Sequence, residues 1–315
     1  MKTIKELKKV KIKKTLVDNM IKTPGLYCLL AKAKIGKSLL ALQLADAISN
    51  NKIFLNNKVT PSPVLYISTE VSSNQLIDRI NKMNINFKDD NFFFIERNIN
   101  KNSISLFDIE VDIYEFAKYK KGKLIIMDML YGIDLGIHYD INNYQDMGQK
   151  ALPQLRNICD KYDLTILFVH HLNKQGLSLG STAIDTSVDG KFILTQDNNI
   201  KNKFKLTIES RDFEGDEFNL SRNDNLILEV EEKDYNDDLD YNLILFLNYS
   251  ILQKEYKLTS AEITAKLQLK ITPTKFTRLI NNNLDNLKKQ GLHIEPYRTS
   301  STRGFFVQYI EPIDD

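Results

Sequence analysis

Residues 26–38 read Leu-Tyr-Cys-Leu-Leu-Ala-Lys-Ala-Lys-Ile-Gly-Lys-Ser, and residues 39–49 continue as Leu-Leu-Ala-Leu-Gln-Leu-Ala-Asp-Ala-Ile-Ser. An apolar run is followed by a loop ending in Gly-Lys-Ser and then by a segment with helical spacing. This order is typical of a P-loop, in which backbone N–H groups and a helix N-terminus bind phosphate oxygens. Ala31 stands where the motif usually has its first glycine. A chance turn before a helix is the alternative interpretation.

Two side chains of this loop predict nucleotide chemistry. We expect Lys37 to reach the β- and γ-phosphates of ATP and the Ser38 hydroxyl to bind Mg²⁺. The sequence therefore predicts ATP and Mg²⁺ as cofactors, with nucleotide contacts from Ala33, Lys34, Ile35, Gly36, Lys37, Ser38 and Leu39.

Outward from the loop, short apolar runs alternate with longer segments of helical period as far as residue 194. The apolar runs lie at 64–68, 92–95, 123–127 and 165–169, and the helical segments at 37–49, 72–83, 106–121 and 143–162. This alternation predicts an α/β fold with a mainly parallel sheet covered by helices. The strand-like pieces after residue 194 predict an antiparallel extension of the sheet.

Polar residues follow three of the predicted strands, at the edge where parallel sheets bind ligands. Asp128 follows the run 124–127 and is a candidate for the acid that organises Mg²⁺, with an ordinary strand-end aspartate as the alternative. Glu70 can orient the attacking water or simply cap the next helix. His170 and His171 can contact the γ-phosphate or belong to the core.

The chain beyond residue 240 has a different pattern. A capping box of Thr259 and Glu262 opens a short predicted helix, and Thr272-Pro273 opens a longer one that Gly291 ends. Two short strands around a polar tip follow, which gives the winged-helix pattern. Candidate DNA contacts there are Lys275, Arg278, Arg298 and Arg303, and a protein interface is the alternative. The predicted domains are a basic N-terminal segment at 1–20, an ATPase domain at 21–232, an acidic linker at 233–240 and the winged-helix-like domain at 241–315.

Composition excludes several classes of protein. The 315 residues are 42% hydrophobic and 27% charged, which is typical of a soluble globular protein. Two cysteines without ligand spacing make disulfides and zinc sites poor candidates. No apolar run suits a signal peptide or a membrane span, so we expect a cytoplasmic protein without membrane contact. Seven lysines in residues 1–14 can bind a neighbouring subunit or DNA, or form a solvated helix.

The motifs taken together resemble the RecA-like ATPases, and within them the RepA-type hexameric replicative helicases of plasmids and phages, which are akin to the DnaB-like enzymes. The resemblance covers residues 25–230. It rests on AKAKIGKSLLALQLA (31–45), VLYISTE (64–70), LIIMD (124–128), FVHHLNK (168–174), LGSTAIDTSVDG (179–190) and LTIESRDF (206–213).

This resemblance implies particular roles for the candidate residues. It implies a catalytic base at Glu70, an acid linked to Mg²⁺ at Asp128 and a γ-phosphate sensor at His171 or His170. Arg211 looks like an arginine finger that one subunit supplies to the ATP of the next, so the resemblance implies a homo-oligomeric ring, expected to be a hexamer. The alternatives for Arg211 are a surface ion pair with Glu209 or Asp212, and a trans-acting role that belongs instead to a nearby basic residue such as Lys205.

The resemblance also implies a place for single-stranded DNA. The loop 173–181, with Lys174 and Ser181, corresponds to the loop that lines the central channel in this family. Its single basic residue and its lack of aromatics make tight base stacking doubtful. A merely flexible loop is the alternative.

The expected function is that of an ATP-dependent DNA helicase or translocase serving the replication of a mobile element, plasmid or phage. It would hydrolyse ATP between subunits of a ring, act on single-stranded DNA, and bind duplex DNA or a replication-initiation partner through the winged helix. The alternatives are a DNA-binding ATPase that acts as a nucleotide-controlled assembly switch, and a winged-helix transcriptional regulator.

Overall fold

The computed structural model describes residues 3–4, 13–97, 100–141, 143–172, 183–197, 200, 202–231, 241–269, 271–298 and 303–311. The chain forms two compact units, Met1–Glu231 and Glu232–Asp315.

The first unit is built on a large sheet with nine strands among the described residues. The strands of this sheet are β3 (Gly25–Ala31), β4 (Val64–Ser68), β5 (Phe92–Glu96), β7 (Leu124–Asp128), β9 (Thr165–His171), β10 (Gly190–Gln196), β11 (Lys203–Ser210), β12 (Asp216–Arg222) and β13 (Leu228–Val230). Their order across the sheet is β13-β12-β11-β10-β3-β9-β7-β4-β5. Strands β10, β3, β9, β7, β4 and β5 run parallel, and β11, β12 and β13 extend the sheet antiparallel.

Helices cover both faces of this sheet. They are α1 (Lys37–Asn50), α2 (Ser73–Lys82), α3 (Glu110–Lys118), α4 (Tyr144–Asp146), α5 (Leu152–Tyr162) and α6 (Ala183–Ser187), with a 3₁₀ turn at Leu130–Gly132 and a π-helical turn at Met147–Ala151. Two short strands, β6 (Ile104–Ser105) and β8 (Ile133–Asp134), pair with each other beside the large sheet.

The central strand β3 explains why the first unit has two hydrophobic cores, one on each face of its sheet. Side chains alternate across a strand, so Tyr27 and Leu29 pack into the core that also contains α1, while Cys28 and Leu30 pack into the core that contains α3 and α5. Every residue of β3 is buried. This strand is therefore held from both faces, and the loop that follows it begins from a rigid support. The expected α/β fold with an antiparallel extension of the parallel sheet is confirmed.

The N-terminal boundary differs from the predicted one. Residues 14–23 form a hairpin of β1 (Lys14–Val17) and β2 (Ile21–Thr23). Leu16, Val17 and Met20 are buried in the α1 core, so residues 14–20 pack into the first unit. The sequence did not predict this packing, because only a few apolar side chains provide it and they directly follow the lysine-rich residues 1–14.

The second unit has a core of its own, centred on Phe246, Ile263, Phe276, Ile280 and Val307. Its elements are α7 (Tyr241–Gln253), β14 (Glu255–Leu258), α8 (Ser260–Lys266), α9 (Pro273–Asn282), α10 (Leu284–Lys289), β15 (Leu292–Arg298) and β16 (Arg303–Tyr309). The three strands form an antiparallel sheet in the order β14-β16-β15. The capping box of Thr259 and Glu262 opens α8 as the sequence predicts.

Two features of this unit differ from the sequence prediction. The single long helix expected from Thr272 to Gly291 is broken at Asn283 into α9 and α10. Strand β14 adds a third strand to the predicted hairpin. Across the parts of the chain that the structure describes, no helix combines the length and apolarity needed to cross a membrane.

Candidate nucleotide site

The loop after β3 turns sharply into α1. Gly36 has φ 112° and Lys34 has φ 67°, both in the left-handed region. Glycine adopts this conformation without strain, which explains its place directly before the helix. The N-terminus of α1 then carries backbone N–H groups without helical partners, and these groups and the helix dipole favour an anion.

A cavity of about 580 Å³ opens at this helix terminus. The predicted residues that line it are Ala33, Lys34, Gly36, Lys37, Ser38, Leu39, Glu70 and His171. Four predicted residues, Ile35, Asp128, His170 and Arg211, do not line it. Ile35 packs against the α1 core, and Asp128 is buried at the end of β7. The cavity is large enough for a nucleotide.

Lys37 is held at the base of this cavity although its side chain is charged and only 6% of the residue is exposed. Its Nζ donates to the carbonyl oxygens of Ala31 at 3.3 Å and Lys32 at 3.1 Å and lies 3.0 Å from Nδ1 of His171. Burial lowers the pKa of Lys37, and the charges of Asp128 and Glu70 act in the opposite direction. An anionic phosphate would therefore relieve the cost of this buried cation.

His171 ends β9 beside Lys37. Burial and the positive charge of Lys37 lower the pKa of this imidazole below its ordinary value of 6.5. A neutral ring can accept a hydrogen bond from the Lys37 ammonium group at Nδ1, whereas an imidazolium cannot. Of the two candidate histidines, His171 reaches the nucleotide cavity, and His170 is buried with 3% exposure.

Asp128 lies at the end of β7 and is 1% exposed. Its Oδ2 accepts a 2.6 Å hydrogen bond from the hydroxyl of Tyr66 on β4. Burial raises the pKa of Tyr66, as does Asp128, while a hydrogen bond with Ser38 lowers it. Tyr66 thus connects the predicted acid to the P-loop serine.

The donor set fits a Mg²⁺ ion. Oδ1 of Asp128 is buried and has no hydrogen-bond partner among the described residues, so an anionic oxygen is available. The Ser38 hydroxyl supplies a second hard oxygen at the cavity wall. Mg²⁺ prefers such oxygen ligands and keeps several waters, so Ser38 and Asp128 are the residues that would hold it.

Glu70 is exposed at the mouth of the cavity, two residues after β4. It does not cap α2. The Ser72 N–H donates to Gln75 Oε1 at 3.2 Å, and the Ser73 N–H donates to Glu96 Oε2 at 2.6 Å. The helix terminus is therefore satisfied by other residues, and the Glu70 carboxylate is left at the cavity.

The cavity also contains residues that the sequence analysis missed. Asp78, Arg79 and Lys82 line it from α2, and Leu226 lines it from the turn between β12 and β13. The spacing of Asp78 and Lys82 on one helical face was a possible signal, and these two residues form an exposed 2.8 Å ion pair. Nothing in the local sequence of Leu226 indicated that the antiparallel extension folds over the P-loop.

Arg211 lies at the opposite edge of the sheet. It follows Ser210, which pairs with Gly190, and Gly190 pairs with Tyr27 near the start of β3. The guanidinium donates to the carbonyl oxygen of Thr186. The P-loop begins at Ala31, four residues after Tyr27. At about 3.3 Å per residue, the level of Tyr27 and the start of the P-loop are separated by about 13 Å along the strand. Arg211 therefore does not reach the cavity of its own chain.

Among the residues that the structure describes, Arg211 forms no ion pair with Glu209 or Asp212. Glu209 pairs with Lys191 at 2.7 Å, and Asp212 lies 3.7 Å from Lys22 and 3.9 Å from Lys13. Both acids thus have other cations as partners.

The predicted DNA contacts fall into two groups. Lys174 and Ser181 lie outside the described residues. In the second unit, Lys275 and Arg278 are exposed on α9, while Arg298 and Arg303 are exposed and pair with each other across the β15–β16 hairpin. The structure brings the last two together at the end of the hairpin.

Comparisons with known proteins were made for the whole chain. Residues 4–176, more than half of the chain, match the model of a family described as an AAA domain. Among solved structures, the chain is similar to a KaiC-like protein from the hyperthermophilic archaeon Pyrococcus horikoshii OT3, with 15% identity and a TM-score of 0.49 over 69% of this chain and 94% of that chain. No curated protein matches the chain.

Proposed function

The chain belongs to the AAA domain family, and we propose that it is an ATP-driven DNA helicase or translocase that hydrolyses ATP between the subunits of a ring. One observation carries this proposal. The residues able to bind and cleave a nucleotide gather at one edge of the sheet, while Arg211 lies at the other edge, beyond reach of its own cavity. A second subunit is needed to bring the two edges together.

The cavity residues would have different roles in phosphoryl transfer. Lys37 and the N-terminus of α1 would bind the phosphates, and Glu70 would orient the attacking water and accept its proton. Bound Mg²⁺ would neutralise charge on the phosphate oxygens. His171 would lose its hydrogen bond with Lys37 when that lysine turns to the phosphate, and a ring N–H could then donate a hydrogen bond to the γ-phosphate.

Arg211 would complete the site in the next subunit. A guanidinium directed at the transferred phosphoryl group stabilises the charge that develops on it, and such a group is worth about 10³–10⁵ in rate. The proposed ring, expected to be a hexamer, therefore makes hydrolysis depend on assembly.

The second unit supports DNA binding. Its helix pair α8 and α9 followed by the β15–β16 hairpin has the element order of a winged helix. The exposed side chains of Lys275 and Arg278 lie one helical turn apart on α9, where both can contact one phosphate backbone. We propose that this unit binds duplex DNA or an initiation partner during replication of a mobile element, plasmid or phage.

The ATPase proposal is tested by steady-state hydrolysis with and without single-stranded DNA. We expect DNA to stimulate the wild-type protein, and we expect Glu70→Gln and Arg211→Ala to lose turnover while keeping nucleotide binding. Lys205→Ala is the matched control, because Lys205 lies on β11, the strand that directly precedes the arginine, and pairs with Glu217 at 2.8 Å. Strand separation on a forked duplex then distinguishes unwinding from translocation alone.

Other outcomes would redirect the proposal. Turnover that is indifferent to single-stranded DNA, with Arg211→Ala near wild type, would contradict the ring and favour the nucleotide-controlled switch. Tight, sequence-specific duplex binding without nucleotide would favour the transcriptional regulator. Lys275→Gln and Arg278→Gln test this unit by fluorescence anisotropy against Lys254→Gln, which removes the same charge outside α9.

A further inference from the structure

The edge of the sheet that carries Arg211 also contains a buried carboxylate, that of Asp189, which the proposed reaction does not use. Asp189 is 8% exposed. Its Oδ2 accepts hydrogen bonds from the N–H of Leu26 at 2.9 Å and from Nη1 of Arg156. Its Oδ1 lies 3.3 Å from Nζ of Lys13. The carboxylate thus joins the start of β3, helix α5 and the residue that directly precedes the N-terminal hairpin.

The backbone of Asp189 forms a second set of contacts, and these lead to Arg211. The N–H of Asp189 donates to the Leu26 carbonyl at 2.7 Å, and its own carbonyl accepts from the N–H of Arg211 at 2.9 Å. Asp189 and Arg211 also line the same cavity of about 140 Å³. The backbone of Asp189 therefore fixes the chain around residue 189 against β3. It also fixes Arg211 against the same part of the chain.

Arg156 extends this arrangement to the carbonyls that precede Asp189. Its Nη2 donates to the Ser187 carbonyl at 3.2 Å, and the Arg211 guanidinium donates to the Thr186 carbonyl. Two guanidinium groups thus bind neighbouring carbonyls of one short turn. Loss of the Asp189 carboxylate would leave Arg156 without its anion and free the turn that holds Arg211.

Electrostatics favours a charged Asp189. Burial raises the pKa of this carboxyl, but the hydrogen bond and charge of Arg156, the Leu26 N–H and the charge of Lys13 lower it below its usual value. The nearby acids have different partners, since Asp185 and Glu209 both pair with Lys191 at 2.7 Å. Asp189 is therefore the acid that pairs with Arg156.

We propose that Asp189, through Arg156 and the turn at 186–189, is a positioning residue that holds Arg211 in place for the nucleotide of the neighbouring subunit. This inference rests on the proposed function, because it assigns Asp189 to the subunit that donates the arginine. An Asp189→Asn subunit would keep an intact nucleotide cavity of its own. It would fail only in supplying Arg211 to the nucleotide of the neighbouring subunit.

Mixed assemblies test this assignment. Asp189→Asn alone should bind a nucleotide analogue like wild type and turn over ATP about tenfold to a hundredfold more slowly, since a displacement near 1 Å has effects of this size. Mixing it with Lys37→Ala, whose cavity is inactive but whose Arg211 is intact, should restore turnover. The mixture of Arg211→Ala with Lys37→Ala is the reference for this recovery of turnover. Asp185→Asn alone is the control variant and should turn over ATP like wild type.

Each outcome of the mixture decides between two explanations. The positioning role is supported if the mixture of Asp189→Asn with Lys37→Ala recovers as much ATP turnover as the mixture of Arg211→Ala with Lys37→Ala. It is overturned if only the Arg211→Ala mixture recovers turnover. Full activity of Arg211→Ala alone would instead contradict the proposed function. If Asp189→Asn does not bind nucleotide, Arg156→Lys replaces it in the same mixture, with restoration supporting the role and its absence overturning it.

Discussion

The hydroxyl of Tyr66 donates a 2.6 Å hydrogen bond to Oδ2 of Asp128 inside the large sheet. The two residues lie on adjacent parallel strands, β4 and β7, and both are buried to within 1% exposure. One carboxylate oxygen is thereby held, and the other has no partner among the described residues. The orientation of the proposed Mg²⁺-linked acid thus depends on a phenol.

Replacing Tyr66 with phenylalanine should therefore affect both folding and metal use. The free energy of unfolding should fall by about 2 kcal/mol, because a hydrogen bond to a buried charged group is lost. The Mg²⁺ concentration for half-maximal ATP hydrolysis should rise about tenfold, as for other losses of a ligand-orienting partner. Urea unfolding and a Mg²⁺ titration measure the two effects.

The matched control for this prediction is Tyr139→Phe. The Tyr139 hydroxyl donates to the Ile133 carbonyl at 3.1 Å, and burial raises its pKa to about 12. This variant should lose stability without changing the Mg²⁺ requirement. Equal Mg²⁺ curves for Tyr66→Phe and wild type would show that Asp128 does not need the phenol.

A methyl group at Gly132 should impair turnover through Thr69. A Cβ at this glycine would overlap Cβ and Oγ1 of Thr69, whose hydroxyl donates to the Met129 carbonyl at 3.2 Å. Thr69 directly precedes Glu70, so Gly132→Ala should displace the proposed base and lower kcat by up to about a hundredfold.

Gly148→Ala is the control for this steric effect. A Cβ at Gly148 would make an ordinary 3.4 Å contact with Ala183, so this variant should turn over ATP like wild type. Nucleotide binding and kcat are measured for both. A Gly132→Ala protein with wild-type kcat would show that Thr69 can move without displacing Glu70.

The His171–Lys37 pair predicts a pH dependence of stability. The pKa of His171 is lowered in the folded state by burial and by Lys37, so the unfolded chain binds a proton more readily. Stability from this residue is present above about pH 6.5 and is lost as the pH falls below it. His171→Gln should therefore lose less stability than wild type between pH 7.5 and 5.5.

Urea unfolding at the two pH values measures this difference. His138→Gln is the control, because His138 is exposed, and it should follow the wild-type profile. Parallel profiles for wild type and His171→Gln would contradict the prediction.

The second unit should unfold independently of nucleotide binding. Phe276 is fully buried and packs edge to face against Phe246 with ring centroids 5.4 Å apart. Phe276→Ala should cost this unit about 3–5 kcal/mol. Its core contains none of the residues of the nucleotide cavity, so binding of a nucleotide analogue should persist.

Thermal unfolding followed by circular dichroism, together with analogue binding, checks this prediction. Leu252→Ala is the control, since Leu252 on α7 is 78% exposed and its loss should leave the transition unchanged. Loss of analogue binding in Phe276→Ala would show that the two units are coupled.

Local features of the chain were predictable because they depend on residues close in sequence. The P-loop needs a strand, a glycine in the left-handed region and a helix terminus within about a dozen residues, and residues 26–49 supply all three. The capping box at Thr259 and Glu262 acts over one turn. The N-terminal hairpin was missed, since a few buried apolar side chains lie among many lysines.

The sequence by itself determined the α/β core, the phosphate loop and the placement of Glu70, Asp128 and His171 at the ends of strands, because alternation and local spacing govern each of them. Only the tertiary structure decided which side chains meet. Tyr66 and Asp128 are 62 residues apart, and Leu26 and Asp189 are 163 apart. Such contacts depend on the order of strands across the sheet, which no local pattern encodes.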